Sequence, residues 1–484
     1  MDRAEFLKKA TAGAAGLALG TAVTSHKKSA TAQAGRPNIL LIMTDDQPYH
    51  TLGVMDAVRN RLVANGMRFT NGYVATPICG PARGSVLTGK WSHNTGLEHT
   101  GGAWQELVGS GELPRNIAKR LKDVGYACHL TGKFTNGLSN GDWVCPGFDS
   151  WWAQLEDFNN RDRIYFSKGG LGRIGIPRDG TQAGNETLVA ASHTERFIRN
   201  HEGVPWFACF WPHAPHGPYY PLDRYASTHR GDTPPTPFGE PNADLSDKAP
   251  LVRESARRTA ADKTAMMQQY RGELREVEEV DDAVARLMNA IAETGQNGRT
   301  WVFFLTDNGF QHGEHYLDKK LWPYEESART PFVVRGPVPR PGAEPVVPPG
   351  TVNGQLVSQI DLLPTICEIA GSDASDVDGR SLLPILRQPG AAFREFLLVE
   401  AEGRGWHSVR MRRWNTARAK HDNLLFVRWR DGDFEEVYDY DLDPHLYNGR
   451  INIPRERENS DMLRSKLLAM RTAAGDQYRA LETV

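Results

Sequence analysis

Residues 38–47 read NILLIMTDDQ, and Ile39 to Met43 form an apolar run with no polar interruption. An unbroken run of this length, closed by polar residues, fits a strand buried on both faces, as in a helix-covered parallel sheet. Residues 300–309, TWVFFLTDNG, repeat the design. Two buried strands therefore end in Thr-Asp-Asp and Thr-Asp-Asn. Ligands of open α/β sheets gather at the carboxyl ends of strands. These acidic ends can converge although about 260 residues lie between them.

The chain around these strands alternates helix and strand patterns. ELPRNIAKRLKDVGYACHLTGK (112–133) predicts a helix and then a strand, and VPWFACFWPHAPHGPYYP (204–221) a strand and then a proline-rich loop. From 253 to 294 the pattern is helical, with Leu274, Val277, Val284, Leu287 and Ile291 on one face and a stop at Gly295. Asp281-Asp282 in that run reads as a solvated pair. Residues 336–354 read as a loop by composition. Alternation of this kind predicts an α/β fold, a mostly parallel sheet sandwiched by helices, over residues 37–390. Beyond 395 the texture changes to short strands joined by polar turns, FLLVEAEG, HSVRMRRWNTAR, DNLLFVRWRDG and EEVYDYDLDP, with a closing helix near 460–480. Residues 395–484 are expected to form a small antiparallel α+β subdomain.

Bulk properties narrow the function. The chain has 484 residues, 39% hydrophobic and 24% charged, with a net charge of −2 and no block of like charges. It reads as globular, and nothing in the charge favours nucleic acid. Residues 1–34 combine a basic start (MDRAEFLKK), a short apolar core and the small-residue ending ATAQA, the layout of a bacterial-type export signal. No other segment approaches the ~18 uninterrupted apolar residues of a membrane span. Of five cysteines, Cys128 and Cys145 are the nearest candidate pair, and Cys209 and Cys367 sit in apolar runs as small buried hydrophobes.

The candidate chemistry starts with Asp45, Asp46, Asp307 and Asn308. Four oxygen-bearing side chains at two strand ends suit a hard cation such as Ca²⁺ or Mg²⁺. Cys79 lies in TPICGPARGSVLTGKW (76–91), with Arg83 one helical turn on if a helix starts near Pro81. A soft thiolate is a poor companion for an all-oxygen site, so the thiol reads as the precursor of an oxygen nucleophile. The loop 135–180, with WWAQLEDFNNRDRIYF (151–166), is a candidate pocket wall for a sugar, although Trp151 and Trp152 fit a core equally well.

CGPARGSVLTGKW resembles the sulfatase signature C-x-P-x-R-x-x-x-L-T-G. The resemblance extends in order through NILLIMTDDQ, TGKFTNG, WPHAPHGPY, FFLTDNGFQHGEH, KKLWPYEESARTP and YDYDLDP, and it leans towards the N-acetylglucosamine-6-sulfatase-like branch. It implies an alkaline-phosphatase-like fold, in which 37–390 is the catalytic domain, and hydrolysis of sulfate esters of a sugar or aryl alcohol. Cys79 would be converted by a formylglycine-generating enzyme to formylglycine, whose hydrated aldehyde is the nucleophile. Asp45, Asp46, Asp307, Asn308 and an oxygen of converted Cys79 would bind Ca²⁺, with Mg²⁺ the other candidate. Arg83 and Lys133 would hold the formylglycine hydroxyls. His213 would help protonate the leaving alcohol, and Lys320, preferred over Lys319 by its spacing to Tyr324, would bind sulfate oxygens. His216, His312 and His315 could line the pocket, but a surface position explains them equally well, and they are left outside the expected site. Thr135 stands where many sulfatases carry a histidine. The resemblance admits two alternatives, a phosphonate monoester or phosphodiester hydrolase of the same superfamily and an unconverted, catalytically silent metal-binding homologue. The expected partners are the small-molecule or glycan sulfate ester and the maturation enzyme, and the expected location is outside the cytoplasm.

Overall fold

The sheet is built outward from the apolar run within residues 38–44. A computed structural model describes residues 35–483 except 140–142, 156–161, 168–171, 178–184, 236–244, 257–258, 340, 433 and 449–453. The export-type segment 1–34 lies outside the described residues. In chain order the strands are β1 (Asn38–Thr44), β2 (Met67–Tyr73), β3 (Ala127–Gly132), β4 (Ser150–Leu155), β5 (Asp162–Ser167), β6 (Gly172–Pro177), β7 (Trp206–Trp211) and β8 (Thr300–Thr306). Two short strands, β9 (Gln311–His312) and β10 (Asp318–Lys319), pair with each other before β11 (Phe332–Arg335) and β12 (Thr351–Ser358). The main sheet has the order β12-β2-β11-β8-β1-β7-β3-β4-β5-β6. Its centre, β8-β1-β7-β3-β4, is parallel throughout, and β11 and β5 run the other way. The expected mostly parallel sheet is present.

Every residue of β1, β7 and β8 is buried, as continuous apolar runs require when both faces are covered. Successive side chains divide between the faces. Ile39, Leu41 and Met43 meet Val86, Leu121 and Ile366 on one side. Leu40 and Ile42 meet Ala190, Phe197, Val284 and Leu287 on the other. Helices Cys79–Thr88, Ile117–Asp123 and Leu362–Ala370 supply the first layer, and Glu186–Asn200 and Ala260–Glu293 the second. Full burial of each such side chain is worth roughly 1.5–3 kcal/mol. The register then sets Thr44 opposite Thr306, so the acidic residues that follow leave the sheet side by side.

The helical stretch expected over 253–294 is two helices, Pro250–Ser255 and Ala260–Glu293. Thr259 caps the second in a reciprocal box with Asp262, and Leu274, Val277, Val284, Leu287 and Ile291 are all buried. Asp281 is not a solvated partner of Asp282. Its carboxylate accepts from Ala57 N (2.7 Å) and Val58 N (2.8 Å), which start a short helix after β1. The loop expected over 336–354 ends early, because β12 takes up residue 351 and pairs with β2.

Residues 396–439 form the expected antiparallel sheet, β13 (Phe396–Ala401), β14 (Trp406–Asn415), β15 (Lys420–Trp429) and β16 (Phe434–Asp439), paired in sequence. The closing helix is two pieces, Pro454–Met470 and Gly475–Leu481. Leu463, Leu467 and Tyr478 share a core with Leu398, Val409 and Phe426. This sheet also braces the segment after β10. Trp406 Nε1 donates to Leu321 O (2.9 Å) and Arg410 Nη2 to Pro323 O (2.7 Å). The five cysteines are free thiols, so Cys128 and Cys145 are not bonded to each other, and Cys209 and Cys367 are buried in the core. Trp151 and Trp152 are buried on opposite faces of β4, in the core rather than on a sugar platform.

Candidate functional site

Polar side chains accumulate where β1 and β8 end. Asp45, Asp46, Asp307 and Asn308 are all buried there. The β1 end turns sharply because Asp46 takes a left-handed conformation (φ 64°), which short polar side chains tolerate better than most. The turn is fixed by Asp46 N donating to Asp307 Oδ1 (3.1 Å), and Asn308 N donates to the same oxygen (2.8 Å). Asn308 Nδ2 donates to Asp46 Oδ1 (2.7 Å). Its Oδ1 is buried and has no hydrogen-bond partner.

Cys79 opens the helix Cys79–Thr88, two residues earlier than expected, and points its thiol at these carboxylates. Sγ lies 3.3 Å from Asp45 Oδ1 and 3.9 Å from Asp46 Oδ1. Burial, with Asp45 adding to it, pushes the thiol far above its ordinary range. A shift in that direction disfavours the thiolate, the nucleophilic form of cysteine.

Arg83, one turn along, is wholly buried and reaches three strands. Nε donates to Asp307 Oδ2 (2.8 Å), Nη1 donates to the carbonyl of Lys133, and Nη2 lies 3.3 Å from Asp45 Oδ2. Lys133 follows Gly132 at the end of β3. Gly132 has φ +100° and a Cβ there would meet Trp211 O at 1.9 Å, so only glycine permits this close approach. The Lys133 ammonium contacts Asp45. Lys320 arrives on a turn whose flanking residues, Lys319 (φ 68°) and Leu321 (φ 75°), are both left-handed. Leu321 N donates to Pro77 O (3.1 Å), two residues before Cys79, and holds that turn in place. Lys320 Nζ contacts Asp46 Oδ1 and stands 2.8 Å from Cys79 Sγ. Lys319 is exposed and belongs to β10.

Eight of the nine expected site residues thus form one contact network: Asp45, Asp46, Cys79, Arg83, Lys133, Asp307, Asn308 and Lys320. His213 lies just beyond it, its ring 4.6 Å from that of His216 and its Nδ1 3.6 Å from Glu186 Oε1. His216 is the omission. Its Nε2 is 3.4 Å from Asp46 Oδ2. The sequence put both histidines in one proline-rich loop and gave no spacing rule to separate them. His312 and His315 are not on the surface: both are buried, His312 against Glu273 (2.8 Å) and His315 stacked on Tyr324.

The electrostatics are those of a site built to bind charge. Burial acts to raise the Asp45 carboxyl, but Lys133, His216, Arg83 and Lys320 together hold it well below the usual range. Asp307 goes the other way: burial, then Asp45, pushes it up to about 6. Three carboxylates face three permanent cations, Arg83, Lys133 and Lys320, so the network is close to neutral and a divalent cation would make it positive. The donor set suits such an ion. One ligand atom each from Asp45, Asp46, Cys79 and His216 lies within 4.8 Å of the others, and of these the two carboxylates, together with the unpartnered Asn308 oxygen, are hard donors.

Arg83→Met keeps much of the stem but leaves Asp45 and Asp307 without their shared guanidinium. Removing one partner of a buried ion pair costs about 3–5 kcal/mol. Denaturant unfolding of the variant should show a loss of that size, and an unchanged midpoint would deny Arg83 its clamping role.

Comparison with known proteins places these features in context. The Sulfatase family model matches residues 37–372, and the N-sulphoglucosamine sulphohydrolase C-terminal model matches residues 313–473. The chain is 29% identical to human N-acetylglucosamine-6-sulfatase over 395 residues, 76% of this chain and 68% of the relative. It spans 49% and 34% of the length of two extracellular sulfatase homologues, from Caenorhabditis elegans and Drosophila melanogaster. One similar fold is a structure solved with its substrate D-glucosamine-2-N,6-O-disulfate (TM-score 0.73, 22% identity, 92% of this chain and 98% of that one). Another is the phosphonate monoester hydrolase of Agrobacterium radiobacter (TM-score 0.67, 20% identity, 90% and 95%).

Proposed function

The chain belongs to the sulfatase family, and from that premise we propose that it hydrolyses sulfate esters, with a 6-O-sulfated glucosamine unit as the first candidate substrate. The observation that carries the reading is the thiol of Cys79 held between Asp45 (3.3 Å) and Lys320 (2.8 Å) at the acidic strand ends. Family membership and the glucosamine sulfate named with a similar structure support the substrate class. Formylglycine made from Cys79 would supply an oxygen nucleophile, and Ca²⁺, which Asp45, Asp46, Asp307 and Asn308 would hold, would supply Lewis acidity.

The remaining residues have distinct tasks. Arg83 and Lys133 orient residue 79 and compensate the carboxylates behind it. Lys320 places an ammonium at the face of residue 79 where the sulfate arrives. With a dication bound, three carboxylates face five positive charges, and a sulfate monoester with one negative charge is attracted rather than repelled. His213 delivers a proton to the departing alcohol oxygen. Its ring lies 4.6 Å from that of His216, which in turn reaches Asp46, and this neighbourhood supports the role. Export through residues 1–34 accords with extracellular relatives. No helix among the described residues is long and apolar enough to cross a membrane.

The phosphonate monoester hydrolase fold supports a second reading, since a phosphonate monoester also carries one negative charge. A panel of N-acetylglucosamine 6-sulfate, 4-nitrophenyl sulfate and a phenyl phosphonate monoester separates the two. Sulfate esters should be turned over with the higher kcat/KM, and a preference for the phosphonate would overturn the sulfatase reading. Peptide mass spectrometry should find oxygen in place of sulfur at residue 79. A retained thiol in active protein would remove formylglycine from the mechanism.

Chelation of divalent cations should abolish hydrolysis, and added Ca²⁺ should restore it. Full activity in excess chelator, with no metal in the protein by elemental analysis, would refute the cation's role.

His213→Ala should slow esters of basic, poor leaving groups by about 10²–10⁴-fold, the usual worth of a general acid. Nitrophenyl sulfate, which needs little protonation, should lose far less. Equal losses for the two classes would take His213 out of the acid role.

A further inference from the structure

Where β2 and β12, at one edge of the main sheet, face β14 and β15 of the antiparallel sheet, there is a cavity of about 320 Å³. It is separate from the Cys79 network: none of its lining residues belongs to that network, and β11 lies between β2 and β8. The volume is at the lower end of small-molecule sites, enough for a single sugar-sized body.

Its charge is one-sided. The lining carries three arginines, Arg329, Arg410 and Arg412, against one carboxylate, Glu325. Glu325 is already fully engaged. It accepts from Tyr73 Oη (3.1 Å) and Tyr440 Oη (2.6 Å), and it lies 3.5 Å from both Arg410 Nη2 and Arg329 Nη1. Arg410 is buried and also donates from Nη2 to Pro323 O and from Nη1 to Ser408 Oγ. Three guanidiniums and one carboxylate leave the wall two positive charges in excess.

Arg412 is the guanidinium left over. Among the described residues no carboxylate pairs with it, and burial pushes it down with nothing to offset the shift. The guanidinium lies close against the Gly354 backbone, where a Cβ would crowd Arg412 Nη2 at 3.3 Å. A half-buried guanidinium in a concave, positively charged site, with five donors and no internal acceptor, is matched by an oxyanion.

We propose that this cavity is a second anion-binding site that takes a carboxylate or sulfate group borne on a sugar-sized body. It does not depend on the hydrolytic reading, because occupancy is read by binding alone.

Calorimetric titration with glucose 6-sulfate, glucuronate and inorganic sulfate tests the site. Lys320→Ala protein is used so that the Cys79 centre contributes little affinity. At least one of the two sugar acids should bind with one equivalent, and the comparison among probes separates sulfate from carboxylate recognition and either from a bare ion. Adding Arg412→Glu should weaken that binding by about tenfold or more, as expected for loss of a charge-assisted hydrogen bond. Arg412→Met, which keeps the aliphatic stem, should weaken it in the same direction and guards against a misfolded glutamate variant. In otherwise wild-type protein, Arg412→Met should leave 4-nitrophenyl sulfate hydrolysis unchanged. No binding of either sugar acid to the Lys320→Ala protein, or binding indifferent to both substitutions, would overturn the proposal. Absence of hydrolysis in every variant would instead count against the proposed activity and leave the binding result standing.

Discussion

Arg83 is the interaction on which the rest of the site depends. Three carboxyl groups leave β1 and β8 within a few ångströms of each other, and in a dry interior that arrangement is unfavourable without compensation. The guanidinium solves the problem with one planar group. It touches Asp307 and Asp45 and takes the Lys133 carbonyl on a third nitrogen. A lysine could supply the charge but not the three directions at once. Because Arg83 is carried by the helix that begins at Cys79, the group that neutralises the acids also aims the thiol at them.

The second support is the antiparallel sheet, which is remote in sequence from the acids but not from their chemistry. Lys320 sits between two left-handed residues, an arrangement that a free loop would not keep. Trp406 and Arg410 hold the carbonyls of Leu321 and Pro323 from one side, and Pro77 holds Leu321 N from the other. The sheet built from residues 396–439 therefore fixes a cation that approaches Cys79 from outside the main sheet. The same packing leaves the arginine-rich cavity at its margin.

Much of this was legible because it was written locally. The apolar runs of β1 and β8, the helical period of 274–291 and the terminal acids each declare themselves within ten or twenty residues. The family resemblance, through TGKFTNG and KKLWPYEESARTP, added Lys133 and Lys320, which no periodicity could have singled out. What escaped was non-local. Asp281 looks like half of a charged pair until the backbone of Ala57 and Val58 is seen beneath it. The strand that begins at residue 351 follows a proline-rich loop and is recruited by β2, almost 300 residues earlier. Trp151 and Trp152 resemble a carbohydrate platform in sequence, but they fill the two faces of a covered strand. His216 and His213 share a loop, and only the folded chain shows which of them meets Asp46.

Cys79 is 1% exposed, sealed beneath side chains that lie far along the chain. No enzyme can grip a side chain in that position, so any chemical alteration of residue 79 is a matter of timing. Part of the cover is made late: Lys320 is 241 residues downstream, and translation at ~5–20 residues per second needs roughly 10–50 s to produce that stretch. During this interval the segment around Cys79 is out of the ribosome while its final cover does not yet exist. Cover supplied from far along the chain, usually counted as a handicap that slows folding, here delays the burial of Cys79.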